Sequence, residues 1–416
     1  MKRSLPNHSH LDLLAEMSRR FAASLDIQQT IRDALRSVTQ YLNAEGGSLF
    51  LLNEDGSQLV CKSCLSAVDI TGIAIPADAG IVGHCVQTRQ ALIIADTTQD
   101  TRFLSQVDDD SGFVTRSILC APLTVNDECL GALEVVNKRD DSGQFTESDL
   151  AMLQILASSV ALAILNARMS LELLDQERVK HEVRLAAEIQ RNLLPRSRAA
   201  PFPVSGMNLP ARSVSGDFYD YLEPRPGLIY FSIGDVSGKG MNAALLMSKT
   251  ASLFRCLGKD IIDPALLVEK INAELCETTT AGMFVTMIVG LLDRASNSLK
   301  LLNCGHPPAL LVSPQGVTKF PALLPPLGIA PLQVLPEAVR ETRHVPAGST
   351  LYLYTDGIIE ARATSGNQLG IDGLETLLAN HSGQPLHDRL AAVAHHLQPQ
   401  SGARLDDMTL LAVTID

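Results

Sequence analysis

One long heptad pattern, between residues 147 and 194, divides this 416-residue chain into three regions. Its apolar positions alternate spacings of four and three, as in a coiled-coil seam, and are Leu153, Ala157, Val160, Ile164, Ala167, Leu171 and Leu174. The same register places Arg178 and His181 on the seam, so we expect pairing to weaken there. Pro195 ends the predicted helix because proline lacks the amide that a helix interior needs. We therefore predict a domain over residues 11–165, a connecting coiled-coil helix and linker over 166–200, and a second domain over 201–416.

The charge balance makes nucleic acid and anionic membranes poor partners for this chain. It has 34 Lys and Arg against 46 Asp and Glu, a net charge of −12, whereas both partners are bound largely through Lys and Arg. The most apolar stretch, residues 150–165, falls short of the ~20 residues that cross a bilayer. The N-terminus lacks a signal-peptide pattern and the cysteine spacing is not typical of disulfides. The sequence therefore predicts a soluble cytoplasmic protein.

Strand-like apolar runs in the first region predict a hairpin and two further strands. Four strand-like runs occupy residues 47–52, 58–61, 117–125 and 129–137. A helical pattern at residues 11–42 precedes them, and an Asp-Gly turn signal at residues 55–56 joins the first two. Thr146 and Asp149 then form a capping pattern for the long helix.

The third region carries four Asp residues where short apolar runs meet turns. They are Asp217, Asp235, Asp356 and Asp406. A single Asp at such a junction is more often only a turn residue, but four in one region favour a shared site. Carboxylates that converge repel one another unless cations neutralise them, and Mg²⁺ and Mn²⁺ prefer oxygen ligands. Two such ions about 3.5–4 Å apart can acidify a bridging water and hold a phosphoryl group for in-line attack.

The sequence around these residues resembles the bacterial branch of the metal-dependent serine/threonine protein phosphatases, the PPM family that includes the sporulation stage II phosphatase. The matching stretches follow the family order and are residues 187–195, 216–220, 234–241, 284–287, 303–308, 326–329, 354–361 and 406–411. The resemblance implies an αββα sandwich for the second domain and an α+β fold class for the whole chain. It also implies that a metal-bound hydroxide attacks phosphorus directly, with no covalent phosphoenzyme.

By position, the resemblance implies a metal-binding and catalytic role for each acidic residue. Asp235 resembles the carboxylate that bridges both metals, and the carbonyl of Val236 resembles the adjacent backbone ligand. Asp217 resembles a ligand of one metal. Asp356 and Asp406 resemble ligands of the other.

Other positions near the predicted site are less firmly assigned by the resemblance. Ser215 stands where the bacterial branch usually has Gly, and residues 236–237 occupy the stretch in which the animal branch has a candidate general-acid His. The leaving-group acid is therefore unassigned, and we expect His306 to be a buried or turn-stabilising residue. Asp407 is expected to support its neighbour rather than to bind metal. Arg212 could contact substrate phosphate, because a guanidinium matches phosphate geometry, although an exposed strand Arg is an equal alternative.

The first region resembles a GAF domain, a small-ligand sensor built on an antiparallel sheet. The resemblance is strongest to the GAF domains of cyclic-nucleotide phosphodiesterases, and it rests on residues 75–76, 80–84, 94–96, 100–103, 115–123, 130–138 and 145. Their Asn-Lys…Phe-x-x-x-Asp-Glu pattern is present as Asn137, Lys138, Phe145 and Asp149, with Leu150 in place of the final Glu. The resemblance implies these four residues as a ligand motif and a cyclic nucleotide as a candidate ligand. The alternatives are a salt bridge that locks a lid, a different small ligand, and a purely structural dimerising domain.

Together these features predict a homodimer, paired through the first domain and the connecting helix, in which a ligand regulates a Mn²⁺- or Mg²⁺-dependent serine/threonine protein phosphatase. The resemblance implies that its substrate is a phosphorylated anti-sigma-factor antagonist of the STAS type. Two alternatives are a phosphatase fold that binds a phosphoprotein without cleaving it, and a two-metal hydrolase of a small phosphoester or nucleotide. The presence of all four proposed ligand Asp residues argues against the first alternative.

Overall fold

The described part of the chain forms two compact units that divide between Arg178 and Val179. The computed structural model describes residues 27–195, 202–279, 282–332, 340–362, 368–397 and 404–416. The helical pattern predicted before residue 27 and the end of the predicted linker, residues 196–200, lie outside these ranges. The predicted connecting segment crosses the division between the two units.

A six-stranded sheet is the framework of the first unit. Its strands are β1 (Ala44–Leu52), β2 (Gln58–Leu65), β3 (Ala74–Pro76), β4 (Leu92–Ile94), β5 (Ile118–Val125) and β6 (Glu128–Lys138). They lie in the order β3-β2-β1-β6-β5-β4, and every neighbouring pair is antiparallel. The helices are α1 (Ile27–Tyr41), α2 (Gly80–Thr88), α3 (Ser105–Ser111) and the first part of α4 (Glu147–Leu193). This is the antiparallel sheet with helices that the sequence predicts.

The two faces of this sheet pack into separate cores, because successive strand residues point to opposite sides. The paired residues Leu49 and Leu133 face α1 and α4, whereas the next pair, Phe50 and Ala132, face α2. The sheet is therefore covered on both sides within one unit.

The first part of the predicted coiled-coil seam lies in the core of the first unit. Leu153, Val160 and Ile164 are fully buried and pack against the sheet. Of the seven predicted seam residues only Leu171 and Leu174 are exposed. The prediction that the whole seam pairs with a second chain is therefore wrong, since the sheet covers most of it.

A different row of apolar side chains on α4 faces outward. It consists of Ile155, Leu162, Met169 and Leu173, and each of these is 46% exposed or more. We call these four residues the outer row. Their spacings of seven, seven and four keep them on one side of the helix.

Two five-stranded sheets form the framework of the second unit. One has the order β14-β11-β10-β9-β8 and the other the order β13-β12-β15-β16-β7. The strands are β7 (Val204–Leu209), β8 (Phe218–Arg225), β9 (Leu228–Val236), β10 (Val285–Asp293), β11 (Ser298–Cys304), β12 (Ala309–Ser313), β13 (Gly316–Phe320), β14 (Arg343–His344), β15 (Ser349–Tyr354) and β16 (Met408–Ile415). The helices are α5 (Met241–Leu257), α6 (Pro264–Thr278), α7 (Asp356–Glu360), α8 (Gly370–Asn380) and α9 (Leu386–His396), with the last part of α4.

The second unit has four layers, with the two sheets face to face and helices outside each. Phe231 of one sheet and Leu411 of the other belong to the core between the sheets. Met287 lies on the opposite face of the first sheet, in the core that includes α5 and α6. Tyr354 lies on the outer face of the second sheet, under α8 and α9. The predicted αββα sandwich and α+β fold class are thus confirmed.

A shared carboxylate fixes the start of α4 to the end of β6. Asp149 accepts a hydrogen bond from the Thr146 amide (2.9 Å) while its own amide donates to the Thr146 hydroxyl (3.2 Å), which is a reciprocal capping arrangement. The other oxygen of Asp149 accepts a hydrogen bond from the Lys138 ammonium at 2.8 Å. Both charged side chains are largely buried, and the Lys138 ammonium also lies 5.6 Å from the centre of the Phe145 ring.

Among the described helices, α4 is long and apolar enough to cross a membrane. Half of its most apolar window is buried inside the structure, against the sheet of the first unit. Residues 150–165 alone are too few to cross a bilayer, as the sequence suggests, whereas the whole helix is long enough. A buried core helix passes the same test, so this is weak evidence for a membrane span.

We predict that Asp149→Ala loosens the junction of β6 and α4. The change removes a helix cap and leaves the buried Lys138 ammonium unpaired, so local stability should fall by about 2 kcal/mol. Hydrogen exchange of peptides covering residues 138–160, followed by mass spectrometry, should then be faster by roughly thirtyfold. Glu147→Gln, an exposed change in the same helical turn, is the control. Equal exchange in the two variants would refute the capping role.

Candidate active site

The four predicted acidic residues come together at one end of the two sheets of the second unit. Asp217 directly precedes β8, and because Phe218 is paired with Gly234, Asp217 lies beside Asp235 at the end of β9. Asp356 opens α7 directly after β15, and Asp406 lies just before β16. Strands β15 and β16 pair with each other, which brings the last two residues to the same end of their sheet.

Two threonine hydroxyls hold the carboxylate of Asp217. Thr355 and Thr409 donate hydrogen bonds to the same oxygen of Asp217, at 2.7 and 2.8 Å. The Thr409 amide in turn donates to the Thr355 hydroxyl at 2.9 Å. Burial and the neighbouring charge of Asp235 raise the pKa of Asp217. Both threonines belong to motifs noted in the sequence, but their spacing does not indicate a hydroxyl directed at a carboxylate.

Asp235 and Asp356 carry negative charge that the surrounding side chains do not fully compensate. Burial, reinforced by the charge of Asp356, raises the pKa of Asp235 to about 7. Burial and the charge of Asp406 also raise the pKa of Asp356. Raised pKa values of clustered carboxylates are the mark of mutual repulsion in a desolvated site. A bound cation would relieve it.

Asp406 and Asp407 have different surroundings. The Lys239 ammonium lies 2.8 Å from a carboxylate oxygen of Asp406. Asp407 instead accepts hydrogen bonds from the amides of Ala211 and Gly216, both at 2.7 Å, and so fixes the loop that leads to Asp217. The Asp407 amide also donates a hydrogen bond to the Asp406 carboxylate at 2.9 Å, so Asp407 supports both this loop and its neighbour.

Two glycines lie next to the acidic residues, and one of them, Gly357, is required by a close approach of the backbone. A Cβ atom on Gly357 would lie 1.9 Å from the carbonyl oxygen of Asp407, so only glycine fits at this position. A Cβ atom on Gly216 would lie 3.4 Å from the Val236 carbonyl oxygen and 3.7 Å from a carboxylate oxygen of Asp235. The Gly216 backbone is therefore next to both groups that the sequence assigns to metal binding.

The donor set fits a hard divalent cation better than a softer one. The converging side-chain groups are carboxylates, and the Val236 carbonyl lies beside Gly216, as does the Asp235 carboxylate. Within the described ranges, no three or more His, Cys, Asp or Glu side chains form a group that could hold a metal ion by themselves. Mg²⁺ is usually held by one or two carboxylates and keeps several waters, so this spacing suits it. Lys239 compensates part of the charge on the Asp406 side.

Arg212 lies near the acidic cluster but outside it. Its side chain is exposed. The pKa of Lys239 is raised chiefly by its hydrogen bond to Asp406, and the nearby charge of Arg212 opposes that shift. Arg212 is thus close to the Lys239–Asp406 pair, with its guanidinium facing solvent.

His306 does not supply the missing general acid in this arrangement. It is buried, with Nδ1 2.8 Å from the Thr286 hydroxyl and its amide bonded to the side chain of Asn303. Burial lowers the pKa of His306 to about 3, so the ring is neutral near pH 7. Its position matches the buried, turn-stabilising role expected from the sequence.

The last turns of α4 contact the loop before Asp217 through Gln190, which the sequence did not single out. The buried amide of Gln190 donates to the Ser215 carbonyl at 2.7 Å and accepts from the Ser215 amide at 2.9 Å. A weaker contact of 3.5 Å joins Gln190 to the Ala244 carbonyl of α5. One side chain thus ties the helix to the backbone two residues from Asp217.

The four motif residues predicted for ligand binding in the first unit lie together but do not line its cavity. Lys138, Phe145 and Asp149 form the contact between β6 and α4 described above. Asn137 is buried, accepts a hydrogen bond from the Arg116 amide (2.7 Å) and donates to the Glu45 carboxylate (2.9 Å). These contacts correspond to the salt-bridge alternative raised by the sequence.

The first unit instead contains a cavity of about 100 Å³ on the α2 side of its sheet. Apolar side chains such as Phe50, Ile81 and Phe103 line much of it, and Asp108 and Glu134 supply carboxylates. Burial, with a contribution from the charge of Asp108, raises the pKa of Glu134 to about 7. No Lys, Arg or His is among the described lining residues.

Family models match both parts of the chain. The GAF domain model matches residues 26–164, and the model of the stage II sporulation protein E (SpoIIE) matches residues 225–416. The second match includes Asp235, Asp356 and Asp406 but begins after Asp217.

Curated relatives are similar to different parts of the chain. Protein IcfG of Synechocystis is 26% identical over 56% of this chain, and phosphoserine phosphatase RsbU of Bacillus subtilis is 26% identical over 57%. These matches span 41% of IcfG and 71% of RsbU. The dual 3′,5′-cyclic-AMP and -GMP phosphodiesterase 11A of Takifugu rubripes is 28% identical over 40% of this chain and 20% of its own length.

A solved structure has the fold of the second unit. The SiaA-PP2C domain of Pseudomonas aeruginosa matches 58% of this chain and 99% of its own, with a TM-score of 0.50 and 20% identity. At this identity the likeness concerns the fold.

We predict that Asp235→Asn makes the metal-free protein more stable at pH 8. The folded pKa of about 7 exceeds the ordinary 3.8, so the charged carboxylate costs stability that builds up as the pH rises through this window. Removing the charge should raise the free energy of unfolding at pH 8 by roughly 1–3 kcal/mol, with a smaller gain at pH 5.

Urea denaturation in EDTA, followed by tyrosine fluorescence, measures this change, because five of the six tyrosines lie in the second unit and the chain has no Trp. Asp260→Asn, an exposed site after α5, is the control. A loss of stability in Asp235→Asn at pH 8 would contradict the assignment of an uncompensated charge.

Proposed function

Because the chain carries a GAF domain followed by a phosphatase domain of the stage II sporulation protein E type, we propose that it is a regulated, metal-dependent phosphatase acting on serine or threonine of a signalling protein. The observation that carries the proposal is the cluster of Asp217, Asp235 and Asp356, whose repulsion a divalent cation would relieve. The same cluster disfavours a fold that only binds phosphoproteins, since such a fold has no need for uncompensated charge.

In this proposal Asp235 would bind both cations, and the Val236 carbonyl would be the adjacent backbone ligand. Asp217 would hold one cation, and Asp356 and Asp406 would hold the other. Bound Mn²⁺ or Mg²⁺ supplies an activated water and neutralises the phosphoryl oxygens. The threonine hydroxyls keep the Asp217 carboxylate in one orientation, so it need not reorganise when a cation binds.

Two further side chains, those of Lys239 and Arg212, would act on the substrate or on Asp406. Lys239 pairs with Asp406, and if a cation took its place there, its ammonium would be available to a phosphoryl oxygen. Arg212 offers a second positive charge at the solvent side of the cluster. The neutral, buried His306 takes no part in proton transfer.

We further propose that the substrate is a phosphorylated anti-sigma-factor antagonist of the STAS type in the cytoplasm. The similarity to phosphoserine phosphatase RsbU supports a phosphoserine substrate. The STAS assignment itself comes from the family resemblance of the sequence.

The GAF unit is proposed to regulate the phosphatase through a small ligand in its cavity. The similarity to phosphodiesterase 11A keeps a cyclic nucleotide as the candidate. A cavity of about 100 Å³ is smaller than the roughly 300–1,000 Å³ of most ligand pockets, so a cyclic nucleotide requires it to open. Calorimetry of the full chain with cAMP and cGMP tests this candidate directly.

The outer row of α4 supports a revised proposal for the homodimer. Ile155, Leu162, Met169 and Leu173 are exposed at coiled-coil spacing, whereas most of the originally predicted seam is buried. We therefore assign pairing to the outer row, and sedimentation of Leu162→Glu against the unchanged protein tests it.

We predict Mn²⁺- or Mg²⁺-dependent release of phosphate from phosphoserine proteins, lost by at least a hundredfold in Asp235→Asn because the bridging charge is removed. Phosphate release is measured on a phosphorylated STAS protein, a phosphoserine peptide and a nucleotide, with Asp260→Asn as the matched control. Equal activity of Asp235→Asn and the control would refute the metal assignment. Turnover of the nucleotide alone would favour the small-phosphoester alternative, and binding of the phosphoprotein without turnover would favour the non-catalytic one.

A further inference from the structure

A groove of about 590 Å³ lies between the last turns of α4 and the loop that precedes β8, inside the second unit. Arg184 and Arg191 line it from the helix, and Arg212 and Ser213 line it from the loop. Asn208 and the buried Gln190 also contribute to its lining. We call it the basic groove.

The basic groove concentrates positive charge on a chain whose net charge is −12. Arg184, Arg191 and Arg212 are exposed, and the described part of the chain provides none of them with a hydrogen bond or an ion pair. No Asp or Glu is among the described lining residues. Three guanidinium groups without partners on one concave surface are ready to bind an anion, because each presents several donors in a fixed plane.

The inner end of the basic groove reaches the acidic cluster. Arg212 is close enough to Lys239 to oppose the shift in its pKa, and Lys239 pairs with Asp406. On the other side, the Asn208 amide donates to the Asp217 carbonyl at 3.3 Å and to the Ser215 hydroxyl at 3.2 Å. A chain segment lying in the groove would therefore enter the site from the side of Asp217.

We propose that the basic groove binds an acidic segment of the protein substrate, next to the phosphorylated residue whose phosphoryl group enters the metal centre. The proposal rests on the proposed phosphatase function and deepens it by naming the chemistry of the partner. Carboxylate side chains match guanidinium groups in planar, two-point contacts. Longer polyanions such as nucleic acid are less suited, because the net charge of −12 on the chain repels them.

These contacts are made away from the reacting phosphorus atom, which decides their kinetic signature. Interactions that are equally strong in the bound substrate and in the transition state lower KM and leave kcat unchanged. The basic groove should therefore affect KM for protein substrates with acidic flanks, and it should not affect a small phosphoester that does not reach it.

The test uses the full chain with Mn²⁺ and the double variant Arg184→Gln, Arg191→Gln. Arg212 is left unchanged because it is a candidate contact of the phosphoryl group. The matched control is Arg225→Gln, Arg340→Gln, which removes the same charge from two exposed arginines that do not line the groove. The substrates are two phosphoserine peptides, one flanked by three Asp and the other by three Asn, and p-nitrophenyl phosphate.

For the Asp-flanked peptide, the groove variant should raise KM roughly fivefold to tenfold, with kcat within a factor of two, as expected for two exposed charge pairs. The difference should shrink as salt is added, because the lost contacts are screened. The Asn-flanked peptide and p-nitrophenyl phosphate should be turned over equally by all three proteins.

An unchanged KM for the Asp-flanked peptide would overturn the proposal. So would a parallel loss on p-nitrophenyl phosphate, which would mean that the arginines support the structure instead of binding substrate. Competition by a single-stranded oligonucleotide that depends on Arg184 and Arg191 and exceeds that of the peptide would overturn the assignment of an acidic protein segment.

Binding of the fluorescently labelled Asp-flanked peptide, measured by anisotropy, keeps two failures apart. Binding that depends on Arg184 and Arg191 without any turnover would overturn the phosphatase function and support the basic groove. Turnover that is indifferent to both arginines would support the phosphatase function and overturn the groove.

Discussion

The second unit depends on the way in which the buried carboxylate of Asp217 is held between its two sheets. Asp217 precedes a strand of one sheet, whereas the two threonines that bond it, Thr355 and Thr409, belong to the end of the other. A buried carboxylate that lost these donors would pay the full cost of desolvation. The same contacts therefore align the two sheets at one end and orient an oxygen atom toward the acidic cluster. Folding and site geometry share one set of hydrogen bonds.

The carboxylates at that end of the sandwich need positive charge to balance them, and the protein's own side chains supply only part of it. Burial raises the pKa of Asp217, Asp235 and Asp356. The negative charge of a neighbouring carboxylate adds to the shift in each case, from Asp235, Asp356 and Asp406 respectively. Lys239 compensates Asp406 alone by a direct contact. The Asp407 carboxylate accepts hydrogen bonds from two backbone amides, and these bonds fix the loop before Asp217. Such an arrangement is poor for the stability of the free protein and good for binding cations.

The positions of the acidic residues could be predicted from the sequence, because each Asp adjoins a short apolar run and strand ends meet at the rim of a sheet. The threonines could not, since Thr is common in strands and its spacing does not show where its hydroxyl points. The role of Gln190 could not be predicted either, because a polar residue among the charged residues of a helix is usually exposed. The predicted seam of α4 was partly wrong for a related reason. A heptad pattern shows that one side of a helix will be covered, but not whether a second chain or the protein's own sheet covers it.

Strand β6 has two distinct tasks at nearby positions. At Glu134 it presents a carboxylate to the cavity of the first unit, and four residues later, at Lys138, it is bonded to the first turn of α4. Residues 134 and 138 lie four apart on one continuous strand, and both positions are paired with β1. A small displacement of β6 by a molecule in the cavity would therefore be felt at the origin of the 47-residue helix without passing through any flexible loop. The first unit thus has a short, stiff route from its interior to the segment that leaves it.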